Sequence, residues 1–141
     1  MFSKPSQTVY TVSRLNREIR ALLEQGFASL ILTGEISNFI APASGHWYFS
    51  LKDDKAQIKA AMWRGNNRNQ SYRPINGAQV TVKARVSLYE PRGDYQLIVE
   101  HMEPAGEGQL KQEFDALKMQ AAELRQPHPL LARLDAVRVR Q

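Results

Sequence analysis

Between Ser29 and Glu103 apolar and polar residues alternate in short runs divided by turn-forming residues. This period of two constrains the chain more than any other feature, because it describes strands that bury one face. Five strands are predicted: SLILTGEI near 29–36, HWYFSLK near 46–52, AQIKAAMW near 56–63, QVTVKARVSLY near 79–89 and YQLIVEHM near 95–102. Asp53 and Asp54 turn the chain between the second and third. Pro91, Arg92, Gly93 and Asp94 do so between the fourth and fifth, where Pro presets φ and Gly supplies a positive-φ position. The third and fourth are joined by RGNNRNQSYRPING, a polar connection too long for a hairpin.

The strands are flanked by segments with a helical period. Val12, Leu15, Ile19, Leu22 and Leu23 share one helical face, with Thr11 as N-cap and Gly26 as stop. The opposite face, Arg14, Arg17, Glu18 and Arg20, reads as solvated. Leu110, Phe114, Leu117, Ala121 and Leu124 predict a second helix from about Gly108 to Arg125, ended by Pro127 and Pro129. Five short antiparallel strands with one long polar connection make a mainly β fold, with a five-stranded Greek-key OB barrel as the leading architecture and an SH3-like barrel as the alternative. The expected layout is an N-terminal helix packed on the barrel over 1–27, the barrel over 28–105, a connecting helix over 106–126 and a tail over 127–141.

The chain has 141 residues, room for one domain with a real core and an appended helix, and it contains no cysteine. A disulfide framework and thiolate metal sites are thereby excluded. The N-terminus MFSKPSQTVY lacks a signal-peptide run, and no segment approaches the roughly 18 apolar residues of a membrane span, so a cytoplasmic protein without membrane contact is expected. The net charge of +5 is modest, but its distribution is uneven. Lys55, Lys59, Arg64, Arg68, Arg73, Lys83, Arg85 and Arg92 face a single acid, Glu90, between residues 55 and 92. Such a local excess is the footprint of a phosphate-backbone binder, or simply a solvated basic surface.

Alternation sorts the rings. Trp47, Phe49 and Leu51 share one side of the second strand, while His46, Tyr48, Ser50 and Lys52 share the other. The fourth strand sends Val80, Val82, Ala84, Val86 and Leu88 inward and leaves Thr81, Lys83, Arg85, Ser87 and Tyr89 outside. Tyr48 therefore faces outward with Lys59, Ala61 and Trp63 of the third strand. Rings beside cations suit single-stranded nucleic acid, because aromatic faces stack any base at about 1–3 kcal/mol each while Lys and Arg neutralise phosphates. The stacking candidates are Tyr48 and Trp63, followed by Phe39 and Tyr89, with His46 beside them; burial of Tyr48 and Trp63 under the long loop or under a flanking helix is the competing reading. The phosphate candidates are Lys59, Arg64, Arg68, Arg73, Lys83, Arg85 and Arg92. The loops Asn38 to Gly45 and Pro91 to Asp94 should flank the groove.

The segments TVSRLNREIRALLE, GEISNF, SGHWYFSLKD, LYEPRGDYQLIVE and MEPAGEG, in this order, resemble the N-terminal part of the large subunit of bacterial exonuclease VII, over roughly residues 8 to 124. The resemblance implies an OB-fold that binds single-stranded DNA and leads through a helix into a catalytic region. It also implies a complex with several copies of a small helical subunit, held through a C-terminal region, that degrades single-stranded DNA to oligonucleotides without strict need of a divalent metal. The final stretch LRQPHPLLARLDAVRVRQ departs from the family, so this chain is expected to bind and not to cut. A protein-docking OB domain without nucleic-acid binding is the alternative.

Neither a cofactor nor a metal is expected. His46, His101 and His128 stand singly, without ligand spacing, and Asp53 with Asp54 reads as a turn rather than a two-metal site. Gly106 and Gly108 match only a fragment of a phosphate-cradling loop. Arg92-Gly93-Asp94 reads as a hairpin tip with an exposed arginine.

Overall fold

A computed structural model describes residues 8–106. The elements are helix α1 (Val12–Gly26), strands β1 (Leu30–Ile40), β2 (Trp47–Lys52) and β3 (Gln57–Met62), a short helix α2 (Arg64–Asn67), and strands β4 (Gln79–Tyr89) and β5 (Asp94–Pro104). The predicted second helix and the tail lie outside the described residues.

The strands close into a barrel in the order β1-β2-β3-β5-β4. Four of the five pairings are antiparallel, and the parallel pairing of β3 with β5, Ala60 opposite Leu97 and Ala61 opposite Ile98, completes the closure. This is the expected mainly β fold, a five-stranded barrel with an N-terminal helix. Closure removes free sheet edges, which short strands of this kind would otherwise expose.

β1 runs four residues beyond the expected end at Ile36 because it serves two neighbours. Its first half pairs with β4 from Leu30 to Glu35, and its second half pairs with β2 from Glu35 to Ile40. A register shift between Ser37 and Ile40, with Asn38 at a φ of 54°, bends it from one partner to the other. Such a bend leaves only a weak mark on the hydrophobic pattern, and the expected strand stopped where the pattern faded.

The core follows the alternation. Trp47, Phe49 and Leu51 of β2 meet Ile36, Ala60, Met62, Val80, Val82, Ala84, Val86, Leu97, Val99 and Met102 inside the barrel. Four positions depart from the outward assignment or its neighbourhood: Ala61, Thr81, Ser87 and Ile98 are buried although their parity points them away from this core. Ser87 is covered by α1, with its hydroxyl donating to Glu24 Oε2 at 2.7 Å. Ala61 and Ile98 lie side by side where β3 meets β5, and α2 packs against β5. Thr81 is enclosed between Thr33 of β1 and Glu103 of β5.

Helix α1 begins as its sequence indicates, with Arg14 N–H donating to the Thr11 hydroxyl at 3.1 Å. Its C-terminal half, with Leu23 against the core and Gly26 buried, packs on β4. In its N-terminal half Val12, Leu15 and Ile19 are exposed, although the periodicity counts them with the apolar face. The expected solvated face is only partly so, because Arg20 reaches across to Glu90 at the end of β4.

Candidate nucleic-acid interface

The outer surface of β2 and β3 is paired Tyr48 with Ala61, Ser50 with Lys59 and Lys52 with Gln57. Tyr48 is 40% exposed, and the neighbouring strand adds exposed Ile40 directly beside it. Trp63 stands just past β3 as the N-cap residue of α2 and is half-buried. Its ring meets Tyr48 edge-on at 6.2 Å and His46 edge-on at 5.2 Å. Tyr48 and His46 pack against part of the Trp63 ring, and part of it reaches solvent.

This corner is held by backbone contacts. Arg64 N–H donates to His46 Nδ1 at 3.0 Å, which leaves Nε2 to carry the ring proton. Asn67, buried, donates through one amide nitrogen to the carbonyls of Gly45 at 2.9 Å and Met62 at 3.0 Å. Gly45 has a φ of +89°, and a Cβ there would fall 2.8 Å from Arg64 Cδ, so the aliphatic part of Arg64 lies flat against this turn. The long polar connection is therefore an ordered clamp at its start, not a free loop.

From Tyr48 the surface leads along β3 to Lys59, exposed and with no ion pair among the described residues, and then into a hollow of about 410 Å³. Asn38, Ser50, Gln57, Ile58, Lys59, Gly93, Asp94 and Tyr95 line this hollow. Its far wall is the β4–β5 hairpin, with Arg92 at the exposed tip and Tyr95 56% exposed. Of the expected flanking segments, Asn38, at the bend near the end of β1, borders this surface on one side and Gly93 and Asp94 of the hairpin on the other, while residues 39–45 do not line the hollow. Tyr95 and Ile40 are ring and apolar positions that the alternation argument passed over. Tyr95 shares the parity of Leu97 and Val99 and would count as inward, but it sits at the barrel mouth, where that direction opens to solvent.

The remaining candidates are spread around the barrel. Phe39 is half-buried, 5.5 Å from the Trp47 ring and 6.2 Å from Phe49, so it belongs to the rim of the core. Tyr89 is exposed at the hairpin base. Arg68 closes α2, and Arg73 follows the segment where Gln70 Oε1 accepts Met102 N–H, at the end of the barrel opposite the hairpin. Lys83 and Arg85 lie on β4, which touches neither β2 nor β3 in the closed order, and Arg85 faces Glu100 at 3.7 Å. The eight cations of the basic stretch thus share a sign but not a face. Tyr48, Trp63, His46, Lys59 and Arg64 come together, with Arg92 across the hollow.

Among the described residues no group of three or more His, Cys, Asp or Glu side chains is placed to hold a metal ion. Asp53 is accounted for by its turn: its Oδ1 accepts from Lys55 N and Ala56 N, both at 2.8 Å. These two bonds hold its carboxyl below the usual aspartate range. Among the described residues no helix is long and apolar enough to cross a membrane.

Comparison with known proteins agrees with this fold. Over 122 residues, 86% of its length, the chain is 94% identical to the exodeoxyribonuclease 7 large subunit of Pseudoalteromonas translucida and spans 28% of that relative. It is 62% identical over 122 residues to the same subunit of Vibrio campbellii, again spanning 28% of the relative. The chain thus represents under a third of the length of these relatives. Asparaginyl-tRNA synthetase from Pyrococcus horikoshii, complexed with asparaginyl-adenylate, superposes with a TM-score of 0.50 at 15% identity, covering 71% of this chain and 22% of that one, a likeness of fold alone. The family described as OB-fold nucleic acid binding domain matches residues 10–103, and this chain belongs to it.

Proposed function

We propose that the barrel binds single-stranded DNA along the outer surface of β2 and β3, as the substrate-gripping part of an exonuclease VII large subunit. The observation that carries this reading is the exposed Tyr48 ring, braced by Trp63, with Lys59, which has no ion pair among the described residues, one position further along the same face. A base stacked on Tyr48 leaves its phosphate within reach of cations on either side, Arg64 behind and Lys59 ahead, and the strand continues into the hollow toward Arg92 and Tyr95. Because the contacts are ring faces and point charges, binding tolerates any sequence. The proposed contacts lie on a face of the barrel rather than on an element that enters a duplex groove.

On this reading the protein works in the cytoplasm, and cleavage and attachment of the small subunit belong to the part of the longer relatives that this chain does not span. The test is a titration of labelled single- and double-stranded oligonucleotides at two salt concentrations. Neutralising about four phosphates predicts log affinity falling against log salt with a slope of about −3, and preference for the single strand. Tight, salt-insensitive capture of protein with no retained oligonucleotide would replace this reading with that of a protein-docking domain.

A further inference from the structure

Helix α1 and the β4–β5 hairpin are far apart in the chain and tied together in the fold. Asn16 Nδ2 donates to the backbone carbonyl of Glu90 at 2.9 Å, across 74 residues of sequence. One helical turn on, Arg20 reaches Glu90 Oε2 at 2.9 Å and Glu24 Oε2 at 3.0 Å, and Glu24 accepts from the Ser87 hydroxyl. The Asn16 amide also sits over the turn itself: a Cβ on Gly93, whose φ is +74°, would lie 3.3 Å from Asn16 Nδ2. From within, the turn is closed by Arg92 N–H and Gly93 N–H on the Tyr89 carbonyl, at 3.2 and 2.8 Å.

The two ties differ in kind. Arg20 and Glu90 form a pair that is 46% and 32% exposed, which water and salt screen. The Asn16 bond is half-buried and goes to backbone, so it sets where the chain runs. Beyond the tie point the hairpin carries Arg92 at its tip, then Gly93, Asp94 and Tyr95 lining the hollow that also holds Lys59. An unsupported two-stranded tip is easily displaced, and a wall that must be ordered on binding weakens the complex.

We propose that Asn16 is a positioning residue for the groove: through α1 it holds the β4–β5 hairpin where Arg92 and Tyr95 meet the strand. The inference rests on the reading of the barrel as a single-strand binder. It gives the N-terminal helix a part in binding although it touches no ligand.

The test uses the 141-residue chain, with Asn16→Ala, Arg92→Ala and the double variant, and an unlabelled chain for hydrogen exchange. Without DNA, Asn16→Ala should speed exchange of the Arg92 and Gly93 amides about tenfold, because local opening becomes easier. The thermal midpoint should hold nearly constant, since the packed half of α1 is untouched. Asn16→Asp, which keeps the shape and loses the donor, should behave alike. With a labelled single strand, Asn16→Ala should weaken binding by about threefold to tenfold, and by much less in the Arg92→Ala background, the non-additivity expected of a residue acting through another. Unchanged exchange overturns the brace. Faster exchange with fully additive affinity losses reduces Asn16 to a structural contact and overturns its role in the groove. If the unsubstituted chain retains no oligonucleotide, the functional reading falls and the groove role with it, while the exchange result still decides whether Asn16 braces the hairpin.

Discussion

Tyr48 and Trp63 meet edge to face, with ring centroids 6.2 Å apart and planes at 78°, on the outside of a barrel whose inside is filled by the two rings that flank Tyr48 in sequence. The contact braces the Tyr48 ring, which stays 40% exposed, so it can meet a ligand at little further ordering cost.

Loss of Tyr48 and loss of Trp47 should therefore separate binding from folding. Tyr48→Ala removes one stacking platform and should weaken single-strand affinity roughly 5- to 150-fold while leaving the unfolding midpoint close to its original value. Trp47→Ala opens a void in the core and should cost about 3–5 kcal/mol of stability in denaturant titrations. The reading fails at Tyr48 if its substitution costs stability and spares affinity.

The two walls of the barrel should differ in their salt signatures. Lys59→Ala should reduce the steepness of the log affinity against log salt plot by about 0.7, the share of one phosphate on a single strand. Arg85→Ala, on β4 opposite Glu100, should leave the slope unchanged. Equal effects would mean that the strand wraps both walls.

Asn67 should prove structural at one remove from the site. Its buried amide holds the Gly45 and Met62 carbonyls, and Asn67→Ala strands both. The expected loss is about 1–3 kcal/mol in chemical unfolding. The corner that seats His46 and Trp63 should loosen at the same time, visible as greater quenching of Trp63 fluorescence in a Trp47→Phe background.

Acid should erode the tie between α1 and β4. The Ser87 hydroxyl, followed by the Arg20 guanidinium, holds the Glu24 carboxyl below its ordinary value of 4.5. With the folded value lowered, the unfolded chain binds more protons in the interval between the two, so stability rises with pH there. The contribution is complete above about pH 4.5 and fades as pH falls through the folded value. Glu24→Gln should be less stable than the parent near neutrality, and the difference should shrink as the solution is acidified below that point. A difference independent of pH would show that the charge is not what matters.

Much of this was written locally. The period of two in β2 sends Trp47 and Phe49 inward and Tyr48 outward, because side-chain direction in a strand depends only on the backbone on either side. The turn chemistry at Pro91 to Asp94 and the cap at Thr11 are equally local, and they stand where the residues place them. The positive stretch was legible as a sign of charge, but not as a surface, since residues adjacent in sequence go to different walls when the sheet closes.

What closure decided is everything that depends on which strand lies beside which. The order β1-β2-β3-β5-β4 puts Lys83 and Arg85 across the barrel from Lys59, folds Phe39 against Trp47, and buries Ala61, Thr81 and Ser87 on what alternation treats as an outer face. It also brings Asn16 to Glu90 and Tyr95 to the edge of the hollow. Alternation says which way a side chain points. Only the pairing of distant strands, and the helix laid over them, says what it points at, because that pairing is settled by the burial of the whole core rather than by any one segment.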